Sequence, residues 1–225
     1  MCGGNTTGHF LQDVRLSNGD RTPVLQYIQG RRAEGPFTVI DVGGSMDAWT
    51  KTVATAYADM QRPPEVPTHV AFFEVDLNMP CTWRPALEHV ARHGKFDFSI
   101  CSHTLEDLSC PKCAVQFLQG VSKAGYVALP SKYRECSRRG DSKFRGFIHH
   151  RWVFDVKGGR LVAYPKIPLL EYLPEADALA KMLDVYANKE LSFKWQGGLP
   201  YAEVNGGFLG PTVQAVFDYY KELLD

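Results

Sequence analysis

Short apolar runs alternate with amphipathic stretches over residues 37–130 of this 225-residue chain. Phe37–Val42 (FTVIDV) is the first run, and its continuous apolar character predicts a strand covered on both faces. Thr55–Met60 (TAYADM), His69–Asp76 (HVAFFEVD), Lys95–Cys101 (KFDFSIC) and Gly125–Leu129 predict four more strands. Helical spacing falls between them. A short helix or turn is expected over about Asp47–Thr52, a helix over Trp83–Arg92 with Leu87 and Val90 inward, and another over Cys113–Val121. Pro63, Pro64 and Pro67 mark a loop. Ahead of the first strand, Thr22-Pro23 opens a helix that runs to about Arg32. That helix offers Val24, Leu25 and Ile28 on one face and ends at Gly35-Pro36. Residues 1–20, rich in Gly, Asn and Thr, read as a loose arm.

Strands that alternate with helices in this way specify an α/β fold with a doubly wound, mostly parallel, Rossmann-like sheet. Past Pro130 the pattern changes. Phe147–Val156 and Arg160–Tyr164 flank Gly158-Gly159 and predict a hairpin. A helix is expected over Ala176–Ala187, a short hairpin from Leu191–Trp195 and Tyr201–Val204 across Gly197-Gly198, and a closing helix over Pro211–Leu224. The expected organisation is one domain over 1–225: an arm and helix (1–36), a nucleotide-type half (37–130), and a hairpin-and-helix half that shapes the substrate side (131–225).

Charge narrows the partners. The formal net charge is +0 and the pI about 7.0, with Lys and Arg spread along the chain. A protein that neutralises a phosphate backbone carries a basic excess, so no nucleic-acid partner is expected. A small or sugar-like ligand suits the balance better. No apolar stretch approaches the roughly 20 residues of a spanning helix, so no membrane partner is expected either. No charged leader precedes an apolar run. Six cysteines over this length do not make a disulfide scaffold, and the expectation is a cytoplasmic protein with free thiols. Cys110-Pro-Lys-Cys113 is a lone C-x-x-C without a second ligand pair, and no metal is assigned to it.

The strongest chemical signal is Asp41-Val42-Gly43-Gly44-Ser45, directly after the first strand. Glycine here lets backbone approach a ligand that a side chain would block. A dinucleotide site would continue as G-x-G-x-x-G, but Met46, Asp47 and Ala48 follow, and Asp47 would repel a phosphate. Asp59, 18 residues after Asp41 and beside Met60 at the end of the second strand, suits the two hydroxyls of a ribose. Asp76 is placed to meet an adenine amino group, with Leu77 against the ring face. The fourth strand ends Ile100-Cys101-Ser102-His103, and ligands of such sheets lie beyond the carboxyl ends of the strands.

VIDVGGS (39–45), the acid at Asp59, VDL (75–77) and KFDFSICSHTLEDL (95–108) together resemble the class I S-adenosylmethionine-dependent methyltransferases. The last stretch is similar to a fourth-strand motif of their small-molecule branch. GYVALPS (125–131) and GFIHHRW (146–152) are similar to small methyltransferase domains that accompany glycosyltransferases. The resemblance implies S-adenosylmethionine as cofactor. It implies Asp41 and Gly43 near the methionine moiety, Asp59 on the ribose, Asp76 on the adenine, and Ser102 and His103 facing the sulfonium. The third glycine of the family pattern is replaced by Asp47 or Ala48.

A hydroxyl acceptor must lose a proton to a base as the methyl group moves. His103, Glu106, Asp107, His149 and His150 are the candidates. His103 and Glu106 stand three apart and share one side of a helical turn. His149 and His150 fall in an expected strand, whose alternation sends one imidazole each way. The expected catalytic set is His150 or His103 as base, with Glu106 orienting it. Lys132, Arg134 and Arg151 read as solvated charges that could hold an anionic acceptor. Tyr133, Trp152, Tyr164, Trp195 and Tyr201 offer faces for a sugar ring. The expected activity is O-methylation of a small hydroxylated acceptor, such as a sugar or glycan terminus. The alternatives are a nicotinamide-dependent oxidoreductase and a non-catalytic binding module on the same sheet.

Overall fold

The structure is a computed structural model that describes residues 11–44, 49–62, 70–204 and, near the carboxyl end, 218, 220, 221, 223 and 224. Strands β1 (Gln12–Ser17), β2 (Val39–Val42), β3 (Ala56–Asp59), β4 (Ala71–Glu74), β5 (Phe98–Ser102), β6 (Ala124–Pro130) and β9 (Glu190–Gln196) form one seven-stranded sheet in the order β1-β9-β6-β5-β2-β3-β4. Strands β2 to β6 are parallel, whereas β9 runs antiparallel to both β6 and β1. From β4 inward to β6 this is the 3-2-1-4-5 order of a doubly wound sheet, and the antiparallel β9 stands where a dinucleotide fold has its sixth parallel strand.

Alternation along each central strand divides the core. Ile40, Val42, Cys101, Val127 and Leu129 face helices α2 (Arg84–His93) and α3 (Pro111–Val121). Val39, Phe98, Ile100, Tyr126 and Ala128 face α1 (Thr22–Glu34), which inserts Val24 and Ile28. On α2 the buried residue is Ala86, whereas Leu87 is exposed. The expected inward placement of Leu87 fails because Ala86 and Val90, four apart, carry the apolar stripe. Gly35 ends α1 as expected.

Four other expectations are corrected. Residues 12–17 are a strand, not part of a loose arm: the polar sequence QDVRLS is that of an exposed edge, hydrogen-bonded to β9. Strand β9 and β10 (Tyr201–Glu203) do not form a hairpin. The buried β9 inserts between β6 and β1, while β10 pairs in parallel with β8 (Arg160–Pro165). That small sheet is completed by the hairpin of β7 (Trp152–Lys157) with β8, which the sequence predicts correctly from Arg160 on but starts too early. Residues 146–150 are turn and bend, because Gly146 at φ 56° breaks the extended run. Finally, Cys110 and Cys113 form a disulfide across the first turn of α3, their Cα atoms being 5.3 Å apart, so these two are not free thiols. Cys81, Cys101 and Cys136 are free among the described residues.

A second apolar cluster joins the outer face of the small sheet to α4 (Lys132–Cys136), α5 (Pro174–Lys181), Tyr220 and Leu223. The expected closing helix lies mostly outside the described residues. The aromatics weighed as sugar platforms serve the core instead: Trp152, Tyr164 and Trp195 are buried, and Tyr133 and Tyr201 pack against the two clusters. Among the described residues no helix is long and apolar enough to cross a membrane.

Candidate functional site

The chain passes from β4 across the sheet to β5, so the switch point lies between β2 and β5. A crevice must open above their carboxyl ends. Two adjoining cavities stand there. The first, about 310 Å³, is lined by Arg21, Asp41, Gly43, Gly44, Trp49, Thr50, Ser102 and His103. The second, about 470 Å³, includes Arg21, His103, Glu106, Asp107, Arg134, His149, His150 and Glu190 in its wall. Arg21 and His103 belong to both and form the boundary between them.

The glycine turn after β2 shapes the first cavity. Gly43 has φ +73°, and a Cβ there would stand 2.3 Å from Thr104 Cγ2. Gly44 lies so close to Asp41 that a Cβ would come within 2.3 Å of both carboxylate oxygens. Asp41 is buried and accepts a hydrogen bond from Thr50 Oγ1. Burial raises its pKa to about 6, the Thr50 bond opposing that shift and the negative charge of Asp59 adding to it. Asp59 is raised by burial too, against backbone hydrogen bonds from Met60 and Gln61. Its Oδ1 accepts from Met60 N at 2.6 Å.

Asp59 is the last residue of β3, Met60 comes after it, and Asp76 and Leu77 come after β4; all four lie outside the lining of the first cavity. Asp76 Oδ1 caps its own turn, accepting from Asn78 N at 2.8 Å. Leu77 is covered by the main core, which corrects the expectation that its side chain presents a free face to a ring. Ser45 lies outside the described residues, as do Asp47 and Ala48. The first described element beyond the turn is a four-residue 3-10 helix, Trp49–Thr52.

At the boundary, four charged side chains interlock. Arg21 makes a two-pronged ion pair with Glu190, Nη2 donating to Oε2 at 2.6 Å, and also donates to Tyr126 Oη at 3.0 Å and Ser102 Oγ at 3.3 Å. Its guanidinium lies 5.2 Å from the Trp49 ring centre. His103 Nε2 is 2.7 Å from Glu190 Oε2, and Nδ1 stands 3.3 Å from Glu106 Oε1. His103 therefore meets Glu106, as its spacing predicts. Its backbone is held at φ 54°, a costly conformation for a side chain of this size.

Burial opposes a charge on His103, but the Glu106 and Glu190 carboxylates outweigh it and lift the pKa to about 9. That raised pKa favours the imidazolium form of His103 at neutral pH. Burial also works against the Glu190 charge, yet His103 and Arg21 hold its pKa below the usual carboxylate range. A raised imidazole pKa stabilises the fold fully below 6.5, and that contribution is lost as pH rises through about 9. An NMR titration of the imidazole should give a midpoint near 9, and His103→Gln should flatten the fall in stability between pH 6.5 and 9; a midpoint below 7 would dissolve the ion cluster.

In the second cavity, His150 is buried and its Nδ1 lies 2.7 Å from Glu135 Oε1. Glu135, not Glu106, orients this imidazole. The turn brings His149 and His150 to one side, both facing Asp107, which corrects the expected divergence. Arg134 lines the cavity, whereas Arg151 is absent from its wall and Lys132 pairs with Asp155 at 3.3 Å. Sequence reasoning missed Arg21, Glu135 and Glu190. No local motif marks them, because each partner is distant in the chain.

No family model and no curated protein sequence matches the chain. Solved structures do. It is similar to the methyltransferase domain of bacterial CtHen1, at 12% identity and a TM-score of 0.42, covering 78% of this chain and 96% of that one. It is similar to an S-adenosylmethionine-dependent methyltransferase from Mesorhizobium loti, at 12% identity and 0.35, covering 75% and 96%. It is also similar to the N-terminal domain of EvdMO1, determined in the presence of SAH and D-fucose, at 11% identity and 0.39, covering 80% and 84%.

Proposed function

We propose that this protein is an S-adenosylmethionine-dependent methyltransferase that methylates a hydroxyl of a small acceptor, such as a sugar or glycan terminus. The observation that carries this reading is the charge of the cleft over β2 and β5. Asp41 stands in its floor with Asp59 at the neighbouring strand end, and the cations at its edge, Arg21 and His103, are already paired with carboxylates. A diphosphate would meet that acidic floor, and among the described residues the first element beyond the turn is a short 3-10 helix instead of the long helix N-terminus that a dinucleotide fold offers. S-adenosylmethionine carries a sulfonium and an ammonium, which an acidic floor attracts. Asp59 accepts the ribose hydroxyls, Asp41, Gly43 and Gly44 meet the methionine end, and Ser102 and His103 border the sulfur.

The adjoining cavity of about 470 Å³ is of a size for a small acceptor. The acceptor lies there with its hydroxyl toward the shared boundary. Its oxygen bonds to the methyl carbon as the carbon–sulfur bond breaks, leaving the neutral thioether S-adenosylhomocysteine. Alignment of acceptor, methyl and sulfur supplies much of the rate. The acceptor's proton leaves toward the corner formed by Asp107, His149 and His150, since His103 already holds its own.

Calorimetry tests the cofactor. One equivalent of S-adenosylhomocysteine should bind and NAD should give no heat. Asp59→Asn should weaken the first by about 10–100-fold, the worth of hydrogen bonds to a charged acceptor. A dinucleotide in the cleft would overturn the reading. Radiolabel from the methyl donor should appear on a member of a panel of sugars, glycans and small phenols; label found only on RNA, DNA or protein would overturn the small acceptor.

A further inference from the structure

One corner of the larger cavity has a geometry that its hydrogen bonds do not explain. Nε2 of His150 stands 3.7 Å from Asp107 Oδ1, and Nε2 of His149 stands 3.8 Å from the same oxygen. One ligand atom from each of the three residues lies within 4.8 Å of the others. These distances exceed a hydrogen bond. They approach the spacing of atoms that share one cation: ligands bound at about 2.0–2.2 Å in a tetrahedron lie roughly 3.4 Å apart. We infer that Asp107, His149 and His150 form a binding site for a divalent transition-metal ion.

The surroundings support a built site. His150 is nearly covered; its Nδ1 is engaged by the buried Glu135, which leaves Nε2 as the ring nitrogen that faces Asp107. A carboxylate behind a ligating imidazole, fixing its tautomer, is the usual outer support of a metal-bound histidine. Glu135 is itself fixed by Lys166 Nζ at 2.8 Å, and the same ammonium donates to the carbonyls of Arg145 and Phe147, which frame the histidine turn. A Cβ at Gly146 would come within 2.4 Å of Glu135 Oε2, so the turn sits directly on its support.

The third ligand arrives on another segment, and two bonds tie the segments together: Arg151 N donates to Glu106 O at 2.7 Å and Trp152 Nε1 to Leu108 O at 2.8 Å. Asp107 and the histidine pair are thus held in register from both sides. Beside them, the buried Glu106 lines the same cavity, its Oε1 3.3 Å from His103 Nδ1.

Two imidazoles and one carboxylate suit Zn²⁺, Mn²⁺ or Fe²⁺, with open positions toward the cavity; Mg²⁺ and Ca²⁺ favour oxygen ligands. A cation here would bind the acceptor's oxygen and lower the pKa of its proton, which would then pass to water in the open cavity instead of to the liganded side chains. Only that catalytic role rests on the transferase reading; the site itself does not. Its test is therefore made without methyl donor.

The chelator-treated, non-reduced protein should take up one equivalent of Co²⁺, read by visible absorption, and of Zn²⁺, read by calorimetry, with Mg²⁺ binding far more weakly. His149→Ala and Asp107→Asn alter exposed side chains, and each should lower Zn²⁺ affinity at least 10-fold. Glu135→Gln should lower it about 10–100-fold while leaving the ligands in place. Failure of the wild-type protein to bind Co²⁺ or Zn²⁺ stoichiometrically would overturn the site, as would wild-type affinity in both ligand variants, which would place the ion elsewhere. S-adenosylhomocysteine binding, measured in parallel, reports on the transferase reading alone.

Discussion

Gly43→Ala is expected to destabilise the protein by about 2–4 kcal/mol and to remove measurable cofactor binding. Two costs combine. Alanine must adopt φ +73°, which favours glycine, and its methyl group would press into Thr104 at 2.3 Å. Thr104 has little freedom to yield, since it is buried and its hydroxyl donates to the carbonyls of Gly43 and Ser102. The turn would have to lift away from β5, into the space assigned to the methionine moiety. Denaturant unfolding and calorimetry with S-adenosylhomocysteine measure both effects. Gly43→Ala combined with Thr104→Ala should recover part of the stability, because the overlap is relieved and the backbone strain remains. An alanine variant of wild-type stability and affinity would refute the close packing of turn against strand.

The second large effect is expected at Glu135. Its buried carboxylate joins His150 at 2.7 Å to Lys166 at 2.8 Å. Glu135→Ala leaves a buried ammonium without its counter-charge, a change that costs about 3–5 kcal/mol. The melting temperature should fall by roughly 6–20 °C for a chain of this size. Replacing both partners with apolar residues, as in Glu135→Leu with Lys166→Met, should restore much of the stability, since no orphaned charge is left behind. Restored stability without restored turnover would separate the structural part of the pair from its hold on His150. A melting point unchanged in Glu135→Ala would show that Lys166 is satisfied by the carbonyls alone.

What was legible in the sequence was local. FTVIDV followed by two glycines marks a buried strand and a tight turn within seven or eight neighbouring residues, and that information does not depend on the rest of the chain. The His103–Glu106 pair was legible for the same reason. Partner choice was not. Strand β9 and β10 flank a glycine pair that reads as a hairpin turn, yet β9 is buried on both sides and pairs with β6 and β1, while β10 joins the small sheet. The polar strand β1 gave no apolar signal because it is an exposed edge. Alternation misled at His149 and His150 because one left-handed glycine replaced strand by turn. Arg21 and Glu190 are 169 residues apart, and nothing in either neighbourhood announces the other.

That separation bears on when the site can exist. Strand β1 has its sheet partner in β9, and Arg21, just beyond β1, closes the boundary by gripping the first residue of β9. The intervening loop must be brought together before either contact forms, and long-range closures of this kind come late in folding. A half-assembled molecule can therefore own the glycine turn and still lack the wall between its two chambers. Competence to join donor and acceptor becomes a readout of the whole chain having reached its final arrangement.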